Sequence, residues 1–269
     1  MNKKIGVLGC GWLGLPLAKS LVADKHTVFG TTTSGSKIAV LQKANIIAYT
    51  IGLTENGIEG QIENFLGELD VLIINVPPRL RSAPKESFIK KMLHLYDAIK
   101  NTALARIIFI SSTSVYGDID GLVTEDSPTR PNTESGRQLL AAENIFLNDG
   151  ALNTTIIRFG GLIGPSRHPV THLAGKTELT NGNDPVNLIH LYDCIGIIKM
   201  VLNGNWENKL INGVYPYHPT KEAYYTSEAI KRGLLPPSYI KNLEKIGNKS
   251  IESKYLNVKI YPYNTSIVS

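Results

Sequence analysis

The chain has 269 residues, enough for one large domain or a domain carrying a smaller lobe. Its 42% hydrophobic and 19% charged residues exclude a disordered or fibrous protein. The net charge of +5 favours phosphorylated ligands, but the basic stretch 231–259 (Lys231, Arg232, Lys241, Lys245, Lys249, Lys254, Lys259) has no DNA-reading motif and is expected to be a solvated face.

Lys3-Lys4 ahead of an apolar run has the outline of a secretory leader, yet Gly6, Gly9, Gly11, Gly14 and Pro16 break that run. Strand 4–8, a turn and a helix over 12–24 fit it better. Gly9-Cys10-Gly11-Trp12-Leu13-Gly14 reads GxGxxG between an apolar strand and the helical spacing of Leu17, Leu21 and Val22. In that context Gly9 makes the tight turn, Gly11 lets a dinucleotide diphosphate approach, and Gly14 lets the helix pack on the strand. The diphosphate would rest on N–H groups at the positive end of the helix, with Trp12 and Leu13 supplying backbone.

Strand 27–31 follows, and its end discriminates NAD from NADP, because a carboxylate there would bind the ribose 2′-OH. This chain offers Thr32, Thr33, Ser34 and Lys37 instead, hydroxyls and a cation suited to a 2′-phosphate, so NADP is favoured over NAD. Helix 36–43 and strands 46–49 and 70–75 come next. Asn75, Val76 and Pro77, at the end of the latter, join the cofactor-binding candidates. Helix 85–100 leads to strand 106–111, whose Ser111 is a further candidate, then to helix 134–147 and strand 154–159. This alternation predicts an α/β fold, a Rossmann-type doubly wound parallel sheet, over residues 1–164. From Gly164-Pro165 the breakers Pro169, Gly175, Asn181-Gly182 and Pro185 announce a small C-terminal substrate lobe over 165–269. It is expected to hold helix 190–202, returning to the core, strand 210–214, helix 220–232 and a Tyr/Val-rich tail at 255–263. Cys10 and Cys194 belong to no CxxC or Cys/His cluster, so neither a disulfide framework nor a metal site is expected, and both are read as buried thiols in a reducing cytoplasm. No apolar run of about 20 residues predicts a membrane span.

Ser111-Ser112-Thr113-Ser114-Val115-Tyr116-Gly117 resembles the SSxxVYG signature of extended short-chain dehydrogenases/reductases, the group that contains nucleotide-sugar epimerases and dehydratases. Arg158-Phe159-Gly160-Gly161-Leu162-Ile163-Gly164-Pro165 resembles the R-x-x-x-x-x-GP stretch of that group, and Asn187-Leu188-Ile189-His190-Leu191-Tyr192-Asp193 its N-x-I-H-x-x-D. Together these cover nearly the whole chain. The resemblance implies an NAD(P)-dependent oxidoreductase for a small or nucleotide-linked hydroxy or carbonyl substrate, with Ser112 orienting the substrate oxygen.

One departure bears on the chemistry. Family members carry YxxxK on the following helix, where the tyrosine moves a proton and the lysine lowers its pKa. Here Ser135 and Leu139 occupy those positions, and neither a serine hydroxyl nor a leucine can replace them directly. Tyr96 and Lys100 repeat the spacing, but on the wrong helix. Thr113 and Ser114 stand where similar dehydratases have an Asp-Glu pair. The combination resembles the atypical members of the group, with Tyr116 or His168 as candidate proton donor and Arg137, beside Glu134, as a candidate phosphate ligand. His190 is expected to start a helix, with Asp193 as its partner one turn on. Two other readings remain: a non-catalytic NADP(H)-binding sensor or scaffold, and a similarity to nucleotide-sugar and hydroxyacid dehydrogenases that would need Cys194 as nucleophile. A monomer or homodimer acting on a small molecule is expected, without nucleic-acid or membrane partners.

Overall fold

The computed structural model describes residues 2–78, 86–240 and 248–268, so Lys85, Lys241 and Lys245 lie outside the described residues. β1 (Lys4–Leu8) passes through the glycine turn into α1 (Gly14–Ala23), followed by β2 (Thr27–Thr32), a 3₁₀ turn at Gly35–Lys37 and α2 (Ile38–Lys43). β3 (Ile47–Thr54) folds back as β4 (Gly57–Gly60), and α3 (Ile62–Leu66) leads to β5 (Val71–Ile74) and α4 (Phe88–Lys100). β6 (Arg106–Ser112) ends in a 3₁₀ turn at Thr113–Tyr116, and then come β7 (Leu122–Val123), α5 (Glu134–Leu147) and β8 (Asn153–Phe159). The remainder holds β9 (Gly161–Ile163), α6 (Val170–Leu173), β10 (Leu188–His190), α7 (Leu191–Asn203), β11 (Leu210–Gly213), α8 (Lys221–Lys231) and β12 (Ser250–Ile251).

Eight strands form one sheet in the order β11-β8-β6-β5-β1-β2-β3-β4, parallel throughout except for β4. Strand side chains alternate between two apolar layers. Ile73 and Ile108 pack with Leu17 and Leu21 of α1 and Ile198 and Val201 of α7. Leu72, Ile74, Ile107 and Phe109 face the other way, onto Met92, Leu95 and Ile99 of α4 and Phe146 of α5. Burial on both faces explains why these strands read as unbroken apolar runs, each such side chain contributing roughly 1.5–3 kcal/mol. The molecule therefore has the doubly wound Rossmann arrangement that the alternation predicts.

The chain leaves β1 outward to β2 and β3, then crosses back to β5 on the opposite side. The crevice of such a sheet opens at that switch, beyond the carboxyl ends of the strands. A third, smaller apolar cluster (Ile163, Val170, Val186, Leu188, Tyr224, Tyr225, Ala229, Ile267) lies under α6 and α8, while α7 packs in the main core. Among the described residues no helix is long and apolar enough to cross a membrane, and no group of His, Cys, Asp or Glu could hold a metal ion. The basic stretch is not one patch: Arg232 pairs with Glu228, Lys254 with Asp126, and the Lys249 ammonium donates to the Gly117 carbonyl (2.5 Å).

Candidate functional site

At the switch point the glycine turn is built from backbone. Gly9 has φ +103°, and a Cβ there would lie 2.6 Å from the Asn75 carbonyl oxygen. A Cβ at Gly14 would overlap the Gly9 carbonyl oxygen. Neither position tolerates a side chain without moving the chain. Two side chains from neighbouring strands fix the turn: the Gly9 N–H donates to Thr31 Oγ1 (2.9 Å), and Asn75 Nδ2 donates to the Gly9 carbonyl (3.0 Å). Gly11 differs, since a Cβ there would meet nothing within 4 Å. It faces open space in front of α1. Among the described residues no backbone oxygen takes the N–H of Trp12 or Leu13. An open approach to unpaired N–H groups at the start of a ten-residue helix fits a dinucleotide diphosphate.

The other cofactor candidates surround this turn. Thr32 is buried at the end of β2, with its hydroxyl accepting from the Ser34 N–H (3.1 Å), and Ser34 Oγ shares a hydrogen with Ser36 Oγ at 2.8 Å. Thr33 and Lys37 are exposed. Asn75 and Val76 are half-buried and Pro77 exposed, at the end of β5. Trp12 Nε1 donates to the Pro165 carbonyl (3.0 Å), so the glycine turn touches the loop that follows β9.

Beyond β6 the residues divide by environment. Ser112 is half-buried and its Oγ accepts from the Ser114 N–H (3.2 Å), which leaves its own O–H free to donate. Ser111 is buried and donates to Glu143 Oε1 (2.5 Å). Glu143, on α5, is fully buried and receives Arg158 through Nε (3.0 and 3.2 Å) and Nη2 (2.6 Å). The guanidinium lies 4.9 Å from the centre of the Tyr116 ring. Tyr116 is itself fully buried, its O–H donating to Asn212 Oδ1 (2.8 Å), and burial pushes its pKa up. Its polar atom is thus engaged beneath the site.

His168 is likewise enclosed. Its Nδ1 accepts from the Val170 N–H (3.2 Å), which puts the proton of the neutral ring on Nε2, 3.0 Å from the Tyr224 hydroxyl. Tyr224 passes its own proton to the Ile267 carbonyl (2.9 Å). Burial, with Arg232 nearby, lowers the His168 pKa to about 4. Arg137 pairs with Glu134 one turn away on the exposed face of α5 (3.0 Å). His190 caps α7 through Nδ1, as its position implies. Asp193, fully buried, takes the C-terminal tail rather than His190: the Tyr261 O–H (3.1 Å) and the Asn264 and Thr265 N–H groups (2.7 and 3.1 Å) all donate to it.

The two positions of the absent YxxxK pair lie on α5, whose start is fixed by Thr133 accepting from the Gly136 N–H (3.1 Å). Leu139 is buried in the core, where a lysine would be stranded, and Ser135 is half-buried. Tyr96 and Lys100 both donate to Asp149 Oδ2 (2.9 and 2.8 Å), across α4 and away from the carboxyl ends of the strands. Both thiols are buried, and burial drives Cys10 to about 12 and Cys194 well above its usual range. A nucleophilic cysteine would need the opposite environment.

A model of the NAD dependent epimerase/dehydratase family matches residues 5–204. The chain is 35% identical over 251 residues to Protein YeeZ of Escherichia coli (strain K12), covering 93% of this chain and 91% of that one. It belongs to the NAD dependent epimerase/dehydratase family. It is also 25% identical over 228 residues to a Bacillus subtilis (strain 168) protein described as an uncharacterized UDP-glucose epimerase, YtcB, covering 74% and 72% of the two chains. The UDP-glucuronic acid 4-epimerase of Bacillus cereus in complex with NAD superposes with a TM-score of 0.77 at 17% identity, over 98% of this chain and 92% of that one. At that identity the likeness establishes the shared fold. On α5 this chain carries Ser135 and Leu139, beside an intact glycine turn.

Sequence reasoning did not single out the roles of Glu143, Arg158 and Asn212. A signal for Glu143 exists: helical spacing from Leu139 to Phe146 puts it on the apolar side of α5. A carboxylate there demands a buried cation, and Arg158 is the one charged residue of β8.

Proposed function

We propose that the protein is an NAD(P)-dependent oxidoreductase of epimerase type, acting on a hydroxyl or carbonyl carbon of a small or nucleotide-linked substrate. The observation that carries this reading is the pairing of an open phosphate cradle at Gly11 with the free Ser112 hydroxyl, both at the carboxyl edge of one parallel sheet. The cofactor, when bound, supplies hydride chemistry. Residues of the chain supply the rest. Trp12 and Leu13 N–H groups hold the diphosphate, Thr32, Thr33, Ser34 and Lys37 receive the adenosine ribose, and Ser112 donates to the substrate oxygen. The hydroxyl-rich end of β2 and the exposed Lys37 ammonium support NADP over NAD. Neighbours solved with UDP-sugars and NAD support a nucleotide-linked substrate.

Loss of both α5 side chains supports a second reading, a cofactor-binding sensor or scaffold that has kept the grip and given up turnover. Steady-state assays with NADPH and NADH across simple carbonyls and UDP-sugars separate the two. Ser112→Ala is expected to lower turnover about 10–100-fold with dinucleotide affinity unchanged, the loss of one well-placed hydrogen bond to a developing oxyanion. Tight NADPH binding with no turnover on any substrate would contradict the enzyme and favour the sensor.

A further inference from the structure

The Gly164–Arg167 turn is the first loop beyond β9, and it meets the glycine turn directly. Gly164 and Arg167 exchange backbone hydrogen bonds (2.9 and 3.0 Å), with Ser166 at φ +57° between them. Pro165 in this turn accepts from Trp12 Nε1 (3.0 Å). The Arg167 guanidinium stacks on the Trp12 ring at 5.0 Å from its centre. The side chain is exposed and has no ion-pair partner among the described residues. An arginine held on an aromatic platform keeps its fork of donors available, which is the geometry that grips phosphate oxygens in pairs. Trp12 follows Gly11, so the platform that holds this cation belongs to the glycine turn itself.

We propose that Arg167 is a diphosphate-binding residue that closes over the phosphates at the glycine turn and ties cofactor binding to the first loop of the small lobe. The proposal rests on the dinucleotide reading above. A diphosphate could also come from a nucleotide-linked substrate; the platform belongs to the cofactor turn, and the assignment is to the cofactor. The positive end of α1 neutralises one side of the diphosphate and Arg167 the side that faces solvent. A bound dinucleotide then reinforces the contact that the Gly164–Arg167 turn already makes with Trp12.

The test is equilibrium titration of the full chain with NADPH, ADP, adenosine and UDP, for the wild type, Arg167→Ala and Arg167→Lys, with melting curves as a folding control. Arg167→Ala is expected to weaken NADPH and ADP about tenfold, the worth of a charge-assisted pair of hydrogen bonds, with adenosine unaffected. Arg167→Lys recovers part of the loss, because the charge remains and the stacked fork does not. Unchanged ADP affinity in a variant that melts like the wild type overturns the proposal, as does an equal fall for adenosine or a loss confined to UDP. If the wild type binds neither NADPH nor ADP, the dinucleotide reading itself fails, an outcome distinct from a silent Arg167→Ala.

Discussion

The two walls of the crevice are made differently. On the β1–α1 side the parts are backbone: a turn at positive φ, an overlap that only glycine avoids at position 14, and the Trp12 and Leu13 N–H groups, which no backbone oxygen among the described residues takes. On the α5 side the positions that the YxxxK resemblance singles out are side chains, Ser135 and Leu139, and the helix itself is held by a buried Glu143–Arg158 pair. Backbone machinery survives as long as the fold does, whereas side-chain machinery can be exchanged one residue at a time. A glycine turn can therefore persist while the side chains on α5 change.

The comparison predicts that the α5 wall is structural, and the largest expected effect tests that. Glu143→Ala leaves Arg158 buried without its counter-charge and should cost about 3–5 kcal/mol, read by urea unfolding. A loss under about 1 kcal/mol would mean that the pair does not hold α5 against β8.

His168 gives a smaller effect and sharpens the side formed by α6 and α8. Its pKa is about 4 in the folded chain and 6.5 in the unfolded one, so between these values the unfolded state binds the extra proton. Stability present above pH 6.5 is therefore lost as the pH falls toward 4, by an amount on the order of 3 kcal/mol. His168→Gln should flatten that part of the difference in the stability profile. An unchanged profile would place His168 in solvent and reopen it as a proton donor.

Legibility followed the same division. The parallel strands were readable because both faces are buried and their centres, Val71–Ile74 and Ile107–Ile110, are unbroken apolar runs, and α5 because Thr133 and Glu134 mark its start ahead of regular apolar spacing. β3 runs on to Thr54 and returns as β4, although only 46–49 reads as strand, because Thr50, Gly52 and Thr54 interrupt Ile51 and Leu53 and leave no continuous apolar run. The two-residue ribbons β7–β12 and β9–β10 are set by partners far along the chain, and no local periodicity reports them. In the site, the glycine turn and the vacancies at Ser135 and Leu139 are visible as letters at fixed spacing. The enclosure of Tyr116 by Arg158 and Asn212, and of His168 by Tyr224, depends on residues 42 and 96 or 56 positions away, which only the fold brings together.

The most direct measurement of the central claim is Gly11→Ala, read by melting and by NADPH titration in parallel. A methyl group at this position meets nothing in the folded chain and projects into the cradle. The account predicts stability within about 0.5 kcal/mol of the wild type together with NADPH affinity reduced at least tenfold. Unchanged affinity in the well-folded variant would contradict it, because the open face at Gly11 would then not be where the diphosphate lies.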